Sequence, residues 1–274
     1  MIVQANTSPP HEGHDLGPRR HSITMKITVI TVAYNSAATI ADTLDSVAAQ
    51  TYPAVEHIVI DGASTDETVA IVRHRGQRVA RLISEPDHGI YDAMNKGLAL
   101  ATGDWVGFLN ADDMFAHRDV IASIAGAAHR DPAADAVYGD IVYVKADCPD
   151  RVLRYWRSGE FTRSKLRFGW MPPHPTFYVR AAKLAEIGHF DDQLRIAADY
   201  DFVLRSLARP QARAVYVHDV LVRMRAGGIS NRSISSMIRK SQEDLWALKR
   251  SGIGSWPTLI CKNLRKLPQF LFRS

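Results

Sequence analysis

Apolar residues change their spacing along the chain, and the changes outline alternating elements. Lys26 to Ala33 (KITVITVA) is β-branched and nearly all apolar, as expected of a strand covered on both faces of a parallel sheet. Tyr34-Asn35-Ser36 breaks it. Ala37 to Gln50 then carries Ile40, Leu44 and Val47 at helical spacing, one apolar face of a helix that Tyr52-Pro53 stops. Val55 to Ile60 predicts a second strand. A helix follows it to about Arg75, with Ser64 or Thr65 as its cap. Ala80 to Ser84 reads as a third strand, Tyr91 to Ala101 as a helix ended by Thr102-Gly103, and Trp105 to Leu109 as a buried fourth strand. This alternation predicts an α/β fold with a mostly parallel, Rossmann-like sheet and helices on both faces.

Beyond Ala133 the pattern is less regular. Strands are predicted at Ala136–Val144 and Thr176–Arg180, with irregular structure over Arg151–Trp170 between them. Asp199–Ala208 reads as a helix, Ala214–Arg225 as two short strands, and Ser233–Arg250 and Pro257–Phe272 as two closing helices. Residues 1–24 mix Pro, Gly, His and Ser without an apolar period and are expected to form a disordered arm, not a secretory signal. The expected organisation is therefore an arm over 1–24, one α/β domain over 25–232 and a basic amphipathic helical tail over 233–274. The domain divides at about residue 115.

Composition changes this picture little. Of 274 residues, 46% are hydrophobic and 23% charged, which excludes a wholly disordered chain. No apolar run is long enough to span a bilayer. Two cysteines, Cys148 and Cys261, form neither a disulfide framework nor a metal-ligand pair, and a reducing, cytoplasmic setting is expected. Charge is more informative, because it is uneven. Residues 202–274 hold 14 Lys/Arg against 3 Asp/Glu, whereas the first 201 hold 20 against 26. The basic end points to an anionic partner: a membrane surface, a polyanionic substrate or nucleic acid.

Ligands of open α/β sheets bind beyond the carboxyl ends of the strands. Three polar clusters fall at such ends: Thr31–Asn35, Asp61–Asp66 and Asn110–Asp113. Neither G-x-G-x-x-G nor G-x-x-x-x-G-K-[ST] is present, so phosphates need another source of positive charge. Asp112-Asp113 are hard oxygen ligands suited to a divalent cation, Mg2+ or Mn2+, bound together with phosphate oxygens. A solvated turn is the alternative for such a pair.

Several ordered motifs settle which alternative to expect. Ile30-Thr31-Val32-Ala33-Tyr34-Asn35, Val59-Ile60-Asp61-Gly62-Ala63-Ser64-Thr65-Asp66 and Phe108-Leu109-Asn110-Ala111-Asp112-Asp113 resemble the opening strand, second strand and D-x-D-type motif of the family 2 glycosyltransferases. These are inverting enzymes of the GT-A fold that use nucleotide-diphosphate sugars. The resemblance covers about Lys26 to Arg232. Ser84 to Gly97 is similar to a subgroup of bacterial polysaccharide-assembly enzymes such as those of colanic acid synthesis.

The resemblance implies roles. Thr31, Ala33 and Tyr34 would line the base and ribose pocket, and Asp61 would accept a hydrogen bond from the nucleobase. Asp112 would lie near ribose and metal, and Asp113 would ligate the metal. Asn95 and Lys96 would face the same cleft, with Lys96 meeting a phosphate. Asp199 would be the general base, with Ala198 standing where the family commonly has Glu, while Asp201 would point elsewhere. His174 would contact acceptor or phosphate, or else be a buried structural residue. Arg225 would offset phosphate charge where some relatives have a late His.

The implied partners are a nucleotide-diphosphate sugar donor and a saccharide or lipid-linked acceptor, not nucleic acid. Gln242 and Trp246 mimic the Q-x-x-R-W of processive members, but Leu245 replaces its Arg, which favours single-sugar addition. The tail either docks on an anionic membrane at the inner face of the plasma membrane or packs on the catalytic body. Two rivals remain: a sugar nucleotidyltransferase, and a catalytically inert partner subunit binding through its basic tail.

Overall fold

The computed structural model describes residues 24–227 and 234–265. The arm expected before Thr24 and the end of the helix expected to reach Phe272 lie outside the described residues. The first half runs β1 (Ile27–Ala33), α1 (Ile40–Ala48), β2 (Val55–Asp61), α2 (Thr68–Arg75), β3 (Val79–Ser84), α3 (Ile90–Leu100) and β4 (Trp105–Phe108). β5 (Met114–Phe115), α4 (Val120–Arg130), β6 (Ala136–Lys145) and β7 (Cys148–Trp156) follow. Next come the short α5 (Arg163–Leu166), a 3-10 turn over His174–Thr176, β8 (Tyr178–Arg180), α6 (Leu184–Ile187) and α7 (Ala198–Leu207). The long strand β9 (Ala214–Arg225) precedes the helices α8 (Ile234–Arg250) and α9 (Trp256–Leu264).

One sheet carries all of this, in the order β3-β2-β1-β4-β8-β6-β9-β5, with β7 paired to β6. β1 is parallel to β2 and β4, β2 to β3, and β6 to β9. β8 runs antiparallel to both of its neighbours, β4 and β6. The carboxyl ends of β1, β2, β4, β6 and β9 therefore share one edge with the start of β8. That edge is where ligand chemistry belongs in this fold.

β1 shows why the sequence folds this way. Ile27 and Val29 enter the core beneath α4, whereas Ile30 and Val32 enter the one beneath α3 and α7. A strand buried on both sides must be largely apolar, as this one is; the hydroxyls of its buried Thr28 and Thr31 are bonded to Glu56 and His57. Two expectations need correction. Arg151–Trp170 is not irregular throughout, since its first part belongs to β7, a largely exposed strand held by β6. Residues 214–225 form one twelve-residue strand, not two, and the register shifts lie where β9 pairs with β6 beside Asp140. α4 gave little signal because its buried face is partly alanine: Ala125, Ala127 and Ala128 beside Val120, Ile121 and Ile124.

The tail packs on the body. Leu245, Ala247, Leu248, Ile253 and Leu259 belong to the same core as α3 and α7. Lys262, in the basic tail, is only 4% exposed. It pairs with the buried Asp244 at 2.7 Å, and its ammonium lies 3.2 Å from the centre of the Tyr200 ring.

Candidate active site

The loops after β1 and β2 are latched to each other. Asn35 Oδ1 accepts the Thr65 N–H at 2.9 Å, and the Asn35 N–H donates to Ser64 Oγ at 2.8 Å. The Ser36 N–H donates to Thr68 Oγ1, and the Ala37 N–H to Asp66 Oδ2. Asn35 and Ala63 both take left-handed backbone, φ 48° and 58°, which side chains adopt at a cost of order 1–3 kcal/mol unless the surroundings enforce it. Asp61 is fully buried beneath this latch. Its carboxylate accepts from the Ser64 N–H, the Ser64 hydroxyl and the Ser84 hydroxyl, so it fixes the loop, and a nucleobase would have to share these oxygens.

Thr31 does not line the cleft. It is wholly buried, and its hydroxyl lies 2.9 Å from His57 Nε2. Burial pushes the His57 imidazole down to about 4, so this pair is neutral and internal. Ala33 closes the strand end. Tyr34, 64% exposed, is the free aromatic surface there.

At the end of β4 the acidic turn separates two roles. Asp113 has no exposed surface, Asp112 is partly exposed, and Asn110 flanks both. Burial holds the Asp113 carboxyl well above the usual range, and the Asp112 charge adds to the effect. Asp112 is raised too, mainly by burial and against the opposing charge of Arg225. Asn110 Oδ1 and Asp113 Oδ1 are buried without a hydrogen-bond partner. Unpartnered hard oxygens beside an accessible carboxylate suit a divalent cation. Among the described residues no three His, Cys, Asp or Glu side chains converge, so the rest of a cation's shell would be substrate oxygens and water. Of the two carboxylates expected to hold a cation, Asp112 is the more exposed, and Asp113 is enclosed with Oδ1 unpartnered.

Arg225, at the end of β9, has its guanidinium engaged inside the protein. It donates to the Asp112 carbonyl at 2.9 Å, to the Ala146 carbonyl at 3.3 Å, and pairs with Asp42 of α1. It braces the acidic turn and is not free to reach phosphate.

Asn95 and Lys96 also have other work. The Asn95 amide exchanges two hydrogen bonds with the Phe190 main chain, at 3.0 and 2.9 Å. The Lys96 ammonium is held by Glu85 at 2.9 Å, the Pro86 carbonyl at 2.8 Å and Asp92 at 3.7 Å. Both stand on α3, and their partners there are the protein's own.

Asp199 stands in the first turn of α7, partly exposed between buried neighbours. Oδ1 accepts the Tyr200 N–H at 2.8 Å and lies a long 3.5 Å from the Tyr91 hydroxyl. Oδ2 carries no hydrogen bond among the described residues, which leaves it for an incoming proton. Asp201 is 1% exposed and paired with Arg205 at 2.7 Å, so it points elsewhere as expected. His174 stacks on Phe108 at 5.4 Å and meets the edge of Phe190. It is 8% exposed, and neither ring nitrogen has a partner. Burial lowers its pKa while the Asp199 charge opposes the shift.

Tyr143, on β6, gave no signal in the sequence. Burial raises its phenol, and the charges of both Asp113 and Asp199 add to the shift. The Arg154 guanidinium covers its ring at 3.8 Å. Contacts link the acidic turn to α7: Phe108, two residues before Asn110, meets His174 and Phe190 at 5.4 and 5.2 Å, Phe190 stacks on Tyr91 at 5.8 Å, and the Tyr91 hydroxyl lies 3.5 Å from Asp199 Oδ1.

The chain matches the Glycosyl transferase family 2 model over residues 28–190 and belongs to that family. It is 33% identical over 218 residues to the "PGL/p-HBAD biosynthesis glycosyltransferase" of Mycobacterium bovis, covering 78% of this chain and 82% of that one. Among solved structures it resembles S. aureus TarS 1–349 in complex with UDP-GlcNAc, with TM-score 0.62 and 20% identity over 90% of this chain and 79% of that one. It spans 43% of the longer TarS chain. The mannosyltransferase PcManGT of Pyrobaculum calidifontis, in complex with GDP-Man and Mn2+, gives TM-score 0.62 and 24% identity over 91% and 74%. The two structures confirm the fold expected from the sequence, and family membership makes the chain a glycosyltransferase.

Proposed function

We propose that the chain moves a hexosyl group from a nucleotide-diphosphate sugar to an acceptor hydroxyl in a single inverting displacement, in bacterial surface glycolipid or polysaccharide assembly. The observation that carries this reading is the aromatic chain from Phe108, just before the acidic turn, through Phe190 to Tyr91, whose hydroxyl lies 3.5 Å from Asp199 Oδ1. Leaving-group and base chemistry then have one space to share. A divalent cation, Mg2+ or Mn2+, held at Asp112 with Asn110 and Asp113 would neutralise charge gathering on the departing diphosphate. Tyr34 offers its ring to the nucleobase, and the latched loops keep that pocket rigid. Asp199 Oδ2 takes the proton of the attacking hydroxyl. His174, whose buried ring nitrogens have no partner among the described residues, would hydrogen-bond an acceptor that reaches them.

The relatives support these choices by analogy. One is named for PGL/p-HBAD biosynthesis, and the solved neighbours hold UDP-GlcNAc, or GDP-Man with Mn2+. Family membership also favours transfer over nucleotidyl transfer. A panel of UDP-, GDP- and dTDP-sugars with Mn2+ tests the reading by thermal shift. At 100 times Kd, a bound donor stabilises by about 2.7 kcal/mol, a shift of several degrees. Stabilisation by at least one sugar nucleotide, dependent on the cation, is expected; none across the panel removes the reading and leaves an inert subunit.

The acceptor contact extends to an anionic membrane. α9 buries Thr258, Leu259 and Lys262 and leaves Trp256, Ile260 and Leu264 exposed, one stripe at a spacing of four. The two acids of α8 face inward, on Lys262 and on the α7 entrance, so the helix pair presents only positive charge outward. Such a face suits an interface with anionic lipid. Replacing all three stripe residues by Ser should remove co-flotation with phosphatidylglycerol vesicles; equal recovery with and without the stripe dismisses the contact.

A further inference from the structure

α7 begins without a cap of its own. Ala197 stands at the N-cap, Ala198 follows, and neither offers a side-chain acceptor for the free amides of a helix start. The amides running up to the N-cap are met from elsewhere. Glu243, in the middle of α8, receives the Ile196 N–H at 2.8 Å and the Ala197 N–H at 3.0 Å on one oxygen, and the Arg195 N–H at 3.2 Å on the other. A carboxylate meeting consecutive amides at a helix start gains from charge-assisted hydrogen bonds and from the helix dipole.

The same helix grips the entering segment again. Arg250, seven residues on and so on the same face as Glu243, pairs with Asp191 at 2.8 Å. Beyond Asp199, Tyr200 lies under the Lys262 ammonium, which is locked to Asp244 of α8. The closing helices therefore hold the chain on both sides of Asp199: residues 191–197 before it and Tyr200 after it. The face commonly given to Glu in this family is here an alanine, and a glutamate from a segment 45 residues away in sequence reaches the same helix start.

We propose that Glu243 is a positioning residue, which fixes the start of α7 and thereby aims Asp199 into the cleft. The closing helices are then part of the catalytic architecture. The proposal rests on Asp199 as the base, and its test separates the two.

Hydrogen exchange on the full chain reads the hold directly. In Glu243→Ala, protection of the Ile196 and Ala197 amides should fall at least tenfold. Glu243→Gln, which keeps one acceptor oxygen, should lie between, and the exposed neighbour variant Gln242→Ala should match wild type. Hydrolysis of the best-stabilising panel donor with Mn2+ supplies the functional arm. Glu243→Ala should lower kcat at least tenfold with the donor KM unchanged. Added to Asp199→Asn it should lower the rate no further, since both act through one group. Unchanged exchange overturns the proposal, as does a loss carried in KM or a full additional loss in the double variant. Normal turnover by Asp199→Asn sinks the base reading alone, and the exchange result still decides whether Glu243 holds α7.

Discussion

Asp199→Asn should lower sugar transfer by roughly 10²–10⁴-fold, the range for removing a general base, with donor affinity and folding unchanged. The substitution is nearly isosteric. Asn keeps an oxygen to accept the Tyr200 N–H, the one short hydrogen bond of Asp199, so the helix start loses no partner. It loses the basic Oδ2, which nothing else among the described residues replaces: Asp201 is held by Arg205, and Tyr91 is a buried phenol whose pKa lies far above neutrality. Steady-state transfer with saturating donor checks this. Turnover within twofold of wild type would exclude Asp199 as the base.

Asp112→Ala should fail differently. Among the described residues its carboxylate accepts only from its own N–H; Arg225 meets its main-chain carbonyl, and alanine keeps that oxygen. Folding stability should therefore hold to within about 1 kcal/mol, as for most substitutions outside the core. The cation's reachable ligand is lost, however, and with it the neutralisation of the diphosphate. Loss of such electrostatic stabilisation typically lowers kcat by about 10²–10³-fold. Cation-dependent stabilisation by the donor should vanish as well. Asp113→Ala would be the poorer probe, because Asp113 is enclosed and its loss also opens a cavity beside Thr43 and Asn110.

How much of this could be read beforehand follows from what side chains reveal in sequence. β1, β2 and β4 are buried on both faces, so their apolar runs and the polar clusters after them were legible. β7 was not, because a mostly exposed strand has no such run and exists through its pairing with β6. The acidic turn and Asp199 stood out by motif, since their residue types are bound to the chemistry proposed for them. Thr31, Asn95, Lys96 and Arg225 have side chains engaged within the protein, which no motif shows. Direction and contact decide those roles, and His57, Phe190, Glu85 and Asp42 are the residues that decide them here. Tyr143 and Glu243 gave no signal at all. One is an aromatic on an ordinary strand, and the other an acid on an amphipathic helix, until the fold brings the first near the charges of Asp113 and Asp199 and the second to the start of α7.

The central claim is a division of labour within one cleft, with Asp112 on the leaving group and Asp199 on the incoming hydroxyl. Calorimetric titration of the best-stabilising panel donor, with Mn2+, into the two single variants side by side tests it most directly. Asp199→Asn should bind the donor as wild type does, while Asp112→Ala should bind it at least tenfold more weakly. Equal affinity in both variants, or weakened binding in Asp199→Asn, would contradict the account.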